Sequence, residues 1–135
     1  MKITICGSQT FGTEMGKAQE YLKKKGFEVF VPEHLVTEEE YSAKYSREKL
    51  LEMKPIWTKS HFKKIEKSDA ILIMNHEKKG TRGYFGSNTL IELSVAFYLG
   101  KKIFLLNPIE VNHPHYDEIV GINPIILNGD LDKLK

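Results

Sequence analysis

Between Ser87 and Leu99 runs a helical pattern with one charged side chain in thirteen residues, Glu92. Leu90, Ile91, Leu93, Val95, Ala96, Phe97, Tyr98 and Leu99 surround it, so the helix is apolar all round and is expected to be buried on more than one side. A carboxylate in the first turn of such a helix is partly desolvated, which raises its pKa, and lies at the positive end of the dipole, which lowers it. Those opposed effects suit a group that stays ionised yet poorly hydrated, as a nucleophile must. Thr89-x-x-Glu92 is equally a capping box in which Glu92 is purely structural. The local pattern leaves both readings open.

Two loops can hold an anion near that carboxylate. Gly7–Gly12, with Ser8 and Gln9, follows the first strand, and Asn75–Gly86 precedes Ser87 and Asn88. Both are glycine-bearing and lead into helix N-termini, where free N–H groups and the dipole attract phosphate. Gly7-Ser-Gln-Thr-Phe-Gly12 begins like a P-loop, but Thr13-Glu14 stands where Lys-Ser/Thr is required, and no G-x-G-x-x-G follows the strand. Cys6 reads as packing; a phosphatase loop would need arginine at position 12, which is Gly. His61 shares a face with Trp57 and Ile65, a pattern more common for a packed histidine than a catalytic one. His113 and His115 make two ligands at most, so no metal is expected, and no cofactor either.

The elements that must position these groups alternate strictly. Lys2–Cys6, Phe27–Val31, Asp69–Met74, Ile103–Leu106 and Pro124–Leu127 read as strands, with Asn107 just beyond the fourth placed on the binding rim. Thr13 is expected to cap a helix ended by Gly26, with Met15, Ala18 and Leu22 on its apolar face. Thr37 and Glu40 form a capping box for a polar, lid-like helix to about Met53. Pro55 is expected to break the chain before a third helix. Continuously apolar strands separated by helices indicate a parallel sheet covered on both faces. Right-handed crossovers then predict an α/β, single-domain, doubly wound, flavodoxin/Rossmann-like sheet of about five strands, order 2-1-3-4-5. Its ligand site lies where the winding reverses, between strands one and three.

At 135 residues there is room for one core and one domain. A net charge of +2 argues against binding nucleic acid polymers or membranes through bulk electrostatics. No apolar run is long enough to span a bilayer. The chain opens directly on a strand, so no signal peptide is expected, and a lone cysteine fits a cytoplasmic protein. A homodimer through helix 87–99 is expected from its unusually apolar surface.

Cys6-Gly7-Ser8, Ser87-Asn-Thr-x-x-Glu92-Leu and Ala96-x-x-Leu99-Gly100-Lys101-Lys102-Ile103 together resemble the nucleoside 2-deoxyribosyltransferase superfamily, which includes the 2′-deoxynucleoside 5′-phosphate N-hydrolases. The likeness runs from the first strand to the fourth and is weakest from about Val36 to Ile56. It implies a nucleoside or nucleoside 5′-monophosphate substrate and N-glycosidic cleavage, with Glu92 as the nucleophile attacking C1′. It implies that Ser8 binds a 5′-phosphate, with the Gly86–Asn88 turn opposite. Two positions depart from the family. Thr4 stands for a first-strand tyrosine, and His61 for an aspartate eight residues before Asp69. His61 can still hydrogen-bond or protonate a leaving base, and Tyr84 can supply a phenol from the glycine-rich loop. The departures keep a second reading in play, a non-catalytic nucleotide-binding or sensing module of the same fold.

Overall fold

Five short apolar runs become five parallel strands because β-branched and aromatic side chains pack well on a pleated surface buried on both sides. The computed structural model describes residues 1–32 and 45–135. Its strands are β1 (Lys2–Cys6), β2 (Glu28–Phe30), β3 (Ala70–Ile73), β4 (Lys102–Leu105) and β5 (Ile125–Ile126). Their order is β2-β1-β3-β4-β5, all parallel, as the sequence predicts. Helices α1 (Gly12–Lys24), α2 (Arg47–Lys67), α3 (Ser87–Tyr98) and α4 (Tyr116–Gly121) surround the sheet.

The period of two along β1 sorts its side chains between two cores. Ile3 and Ile5 join Met15 and Leu22 of α1 in one cluster. Cys6 faces the other side, with Ile65 of α2 and Leu93 and Ala96 of α3. That alternation aims Cys6 at the α2–α3 pair. Thr4 lies on the same side but is spent on structure. Ser68 donates its hydroxyl to the Lys64 carbonyl at 2.8 Å, so at 2.6 Å the Thr4 hydroxyl must donate to Ser68.

Several local expectations give way to the fold. Thr13 does not cap α1; a 3-10 turn over Gln9–Phe11 leads straight into Gly12. Gly26, at φ +97°, does end the helix. Pro55 does not break the chain but lies within α2, which starts at Ser46, whose Oγ accepts from the Lys49 N–H at 3.2 Å. A helical proline removes one N–H and leaves the carbonyl four residues back unpaired. Here that carbonyl belongs to Leu51, in an exposed stretch where water can replace the bond. The Thr37–Glu40 capping box lies outside the described residues. Helix α4 was not anticipated, being too short for a clear period.

Helix α3 differs from expectation in three respects. Its N-cap is Gly86, so Thr89 and Glu92 form no capping box. Glu92 consequently falls in the second turn rather than the first, and the dipole acts on it less strongly. Burial is confined to the stripe Thr89, Glu92, Leu93 and Ala96, spaced i, i+3, i+4, i+7. Ile91, Phe97 and Tyr98 are exposed. No helix among the described residues is long and apolar enough to cross a membrane.

Candidate functional site

The carboxyl ends of β1 and β3 diverge at the winding reversal, and the loops leaving them frame the site. Gly7 follows β1 directly, where a Cβ would lie 3.1 Å from the Met74 carbonyl oxygen. Its lack of a side chain lets the first loop pass close to the end of β3. The segment after β3 is a small hairpin rather than an open loop. Lys78 and Thr81 exchange backbone hydrogen bonds of 3.1 and 2.9 Å. Lys79 and Gly80 occupy the turn with φ +52° and +76°, as a tight two-residue turn of this hand demands.

A reciprocal asparagine clamp secures the base of this hairpin. Asn75 donates to the Asn107 carbonyl at 2.7 Å and accepts from the Asn107 N–H at 2.9 Å, while the Asn107 amide donates to the Asn75 carbonyl at 3.1 Å. Asn107 is therefore a bridge between the ends of β3 and β4 and does not line the cavity.

A cavity of about 460 Å³ opens between these loops and α2, within the range that accommodates small-molecule ligands. Gly7, Ser8, Gln9, His61, Tyr84, Gly86, Ser87, Asn88 and Glu92 all line it. Its far wall is Arg47, Leu50, Leu51, Lys54, Trp57 and Thr58 of α2, residues the sequence divides between a lid-like helix bearing Leu50 and Leu51 and a third helix bearing Trp57. Without the continuous helix through Pro55, nothing in the sequence assigns these residues to one face.

His61 and Glu92 line the cavity as two members of a buried polar trio whose third, Cys6, is fully buried and does not line it. Glu92 is 5% and His61 6% exposed. Their Oε2 and Nε2 atoms are 2.7 Å apart, the spacing of a close charge-assisted pair. Nε2 also has Cys6 Sγ as a neighbour, at 3.5 Å. His61 Nδ1 is buried without a partner. Burial pushes the Cys6 thiol well up, and the adjacent Glu92 carboxylate adds to the effect. The thiol is thus held in its neutral form in this setting.

The rim carries the opposite charge. Lys78 Nζ donates to Ser8 Oγ at 3.2 Å and stands 5.0 Å from the centre of the Tyr84 ring. Ser8 Oγ also lies 3.1 Å from Thr10 Oγ1. With Arg47 and Lys54 on the opposite wall, three cations flank one lining acid among the described residues. The histidine pair lies elsewhere: His113 Nδ1 accepts from the His115 N–H at 3.0 Å. Burial, then neighbouring His115, pushes the His113 pKa down, partly opposed by Glu110.

No family model matches the sequence, and no curated protein does. Solved structures do match. A 2-deoxyribosyltransferase from the psychrotolerant bacterium Bacillus psychrosaccharolyticus superposes with a TM-score of 0.59 at 20% identity, over 87% of this chain and 81% of that one. The CMP N-glycosidase BcmB of Clostridium botulinum superposes with a TM-score of 0.53 at 16% identity, over 93% and 84%. The five-stranded parallel α/β architecture matches these structures over most of both chains: the protein has the nucleoside 2-deoxyribosyltransferase-like fold.

Proposed function

We propose that this protein cleaves the N-glycosidic bond of a nucleoside 5′-monophosphate, with Glu92 as nucleophile. The observation that carries the reading is a buried carboxylate, held 2.7 Å from a buried imidazole, lining a cavity whose described rim is cationic. A retaining two-step route fits this arrangement. Glu92 attacks C1′ as the C1′–N bond breaks, and the departing base takes up a proton from water in the cavity. Water or a second base then attacks C1′ and releases the carboxylate. His61 touches Glu92 and restricts its rotation, while the Tyr84 phenol lines the same cavity. The structural neighbours named above as a deoxyribosyltransferase and a CMP N-glycosidase support this class of reaction.

The direct test is chromatography after incubation with a panel of nucleosides and their 5′-monophosphates. Release of free base is the expected result, and a panel wholly intact after long incubation rejects the proposal. The non-catalytic alternative is favoured by Thr4, whose hydroxyl is committed to Ser68 and which is absent from the cavity lining. It predicts thermal stabilisation by nucleotides with no base released.

The phosphate is assigned to Ser8 and Lys78. Lys78→Ala is expected to raise KM for a monophosphate roughly tenfold, the loss of one charge-assisted contact. KM for the matching nucleoside should barely change. Equal effects on both substrates would show that Lys78 serves the loop and not the phosphate.

A second copy of the chain is proposed to cover the exposed side of α3. Ile91, Phe97 and Tyr98 are 48%, 55% and 89% exposed, and apolar surface on this scale favours association. Sedimentation should report a dimer that Phe97→Asp dissociates. A monomer at tens of micromolar wild-type protein would refute the pairing.

A further inference from the structure

Among the described residues, one group of three potential metal ligands converges: Cys6, His61 and Glu92, with their ligand atoms within 4.8 Å of one another. We propose that Cys6 Sγ, His61 Nε2 and a Glu92 carboxylate oxygen form a three-ligand site for a borderline-soft divalent cation, Zn²⁺ foremost, beside the cavity that His61 and Glu92 line. The donor set is one thiolate, one imidazole and one carboxylate, all within zinc's usual chemistry.

The geometry requires side-chain adjustments of about an ångström or less. Tetrahedral coordination at ordinary zinc distances separates ligand atoms by roughly 3.3–3.6 Å. Cys6 Sγ and His61 Nε2 already stand at 3.5 Å. His61 Nε2 and Glu92 Oε2 must open from 2.7 Å, exchanging their direct contact for one bond each to the cation. The tautomer is free as well, because His61 Nδ1 has no partner to fix a proton on either nitrogen.

Charge favours occupation. A divalent cation with one thiolate and one carboxylate is electrically neutral, so a site this deeply buried need not hold a net charge. Binding displaces the thiol proton to solvent, forms the metal–sulfur, metal–nitrogen and metal–oxygen bonds, and changes no oxidation state. The same three elements supply the ligands and the proposed nucleophile: β1, α2 and α3. Where Glu92 is the nucleophile of the preceding reading, a bound cation ties up its carboxylate, and the metal is a reversible inhibitor.

The test uses reduced, chelator-stripped full-length protein titrated with Co²⁺. The sequence contains one cysteine, so a thiolate-to-cobalt charge-transfer band can arise only from Cys6. One equivalent of Co²⁺ should produce that band together with intense low-coordination d–d bands, and Zn²⁺ should bleach both. Cys6→Ser should abolish the charge-transfer band, and His61→Gln and Glu92→Gln should each weaken binding by more than roughly 100-fold. Folded wild-type protein that shows no thiolate band at saturating Co²⁺ overturns the site without reference to any variant. So does a band of undiminished affinity in both His61→Gln and Glu92→Gln. The spectrum decides metal binding whether or not base release is observed. If base is released, stoichiometric Zn²⁺ should stop it and a chelator restore it, and turnover at full metal occupancy overturns the inhibitory role.

Discussion

Glu92→Gln is expected to reduce base release by on the order of 10³-fold or more while leaving the fold intact. The amide matches the carboxylate in size and shape but cannot form the glycosyl–enzyme bond. Stability should hold or rise. Glu92 is almost fully buried, with Oε2 2.7 Å from His61 Nε2; the amide can keep a hydrogen bond to the imidazole while removing a desolvated charge. Glu92→Asp complements this variant. It keeps the charge but withdraws the carboxylate by about one bond length, for which a loss of roughly 10²-fold is expected. Single-turnover chromatography and a thermal melt on the same samples provide the check. A Gln variant with near-native base release would remove Glu92 from the chemistry, and one that unfolds would show the carboxylate to be structural.

The second large effect concerns Gly83. Its φ is +66°, and a Cβ there would lie 2.3 Å from the Pro108 carbonyl oxygen and 3.3 Å from Asn75 Nδ2. Backbone and clamp must both shift to admit a methyl group. Gly83→Ala is expected to cost about 3 kcal/mol or more, a fall of roughly 10 °C in Tm for a chain of this size. Gly80 supplies the control. Its φ of +76° is similar, but nothing lies within 4 Å of its Cβ position, so Gly80→Ala should cost only about 1–2 kcal/mol, the local conformational penalty. Matching melts for the two variants would mean that the close approach to Pro108 contributes nothing. Because Gly83 immediately precedes Tyr84 and follows the Lys78 hairpin, its substitution should also weaken monophosphate binding.

Much of the architecture was written into local sequence. Buried parallel strands read as unbroken apolar runs, Gly26 marked a helix end, and strict strand–helix alternation left one favoured winding. That winding in turn located the binding loops, because ligands gather where it reverses. Ser8, Gln9, Gly86, Ser87, Asn88 and Glu92 follow from this logic and from resemblance, and all line the cavity.

Other features depend on partners distant in sequence. Pro55 is a helix breaker by local chemistry, yet α2 continues through it, with His61 and Ile65 buried further along and Pro55 itself exposed. The far wall of the cavity depends on that continuity. Thr89 had the right spacing for a cap, but Gly86 took the position and moved Glu92 one turn further from the helix end. Asn107 became a clamp because Asn75 lies 2.7 Å from its carbonyl across 32 residues of sequence.

Taken alone, the sequence determined the strand order, the two loops beside the winding reversal and the acid on α3, because these depend on periodicity and handedness. Only the tertiary structure decided what that acid touches. Cys6, His61 and Glu92 come from three separate elements, and no spacing rule joins residues brought together by sheet twist and helix packing.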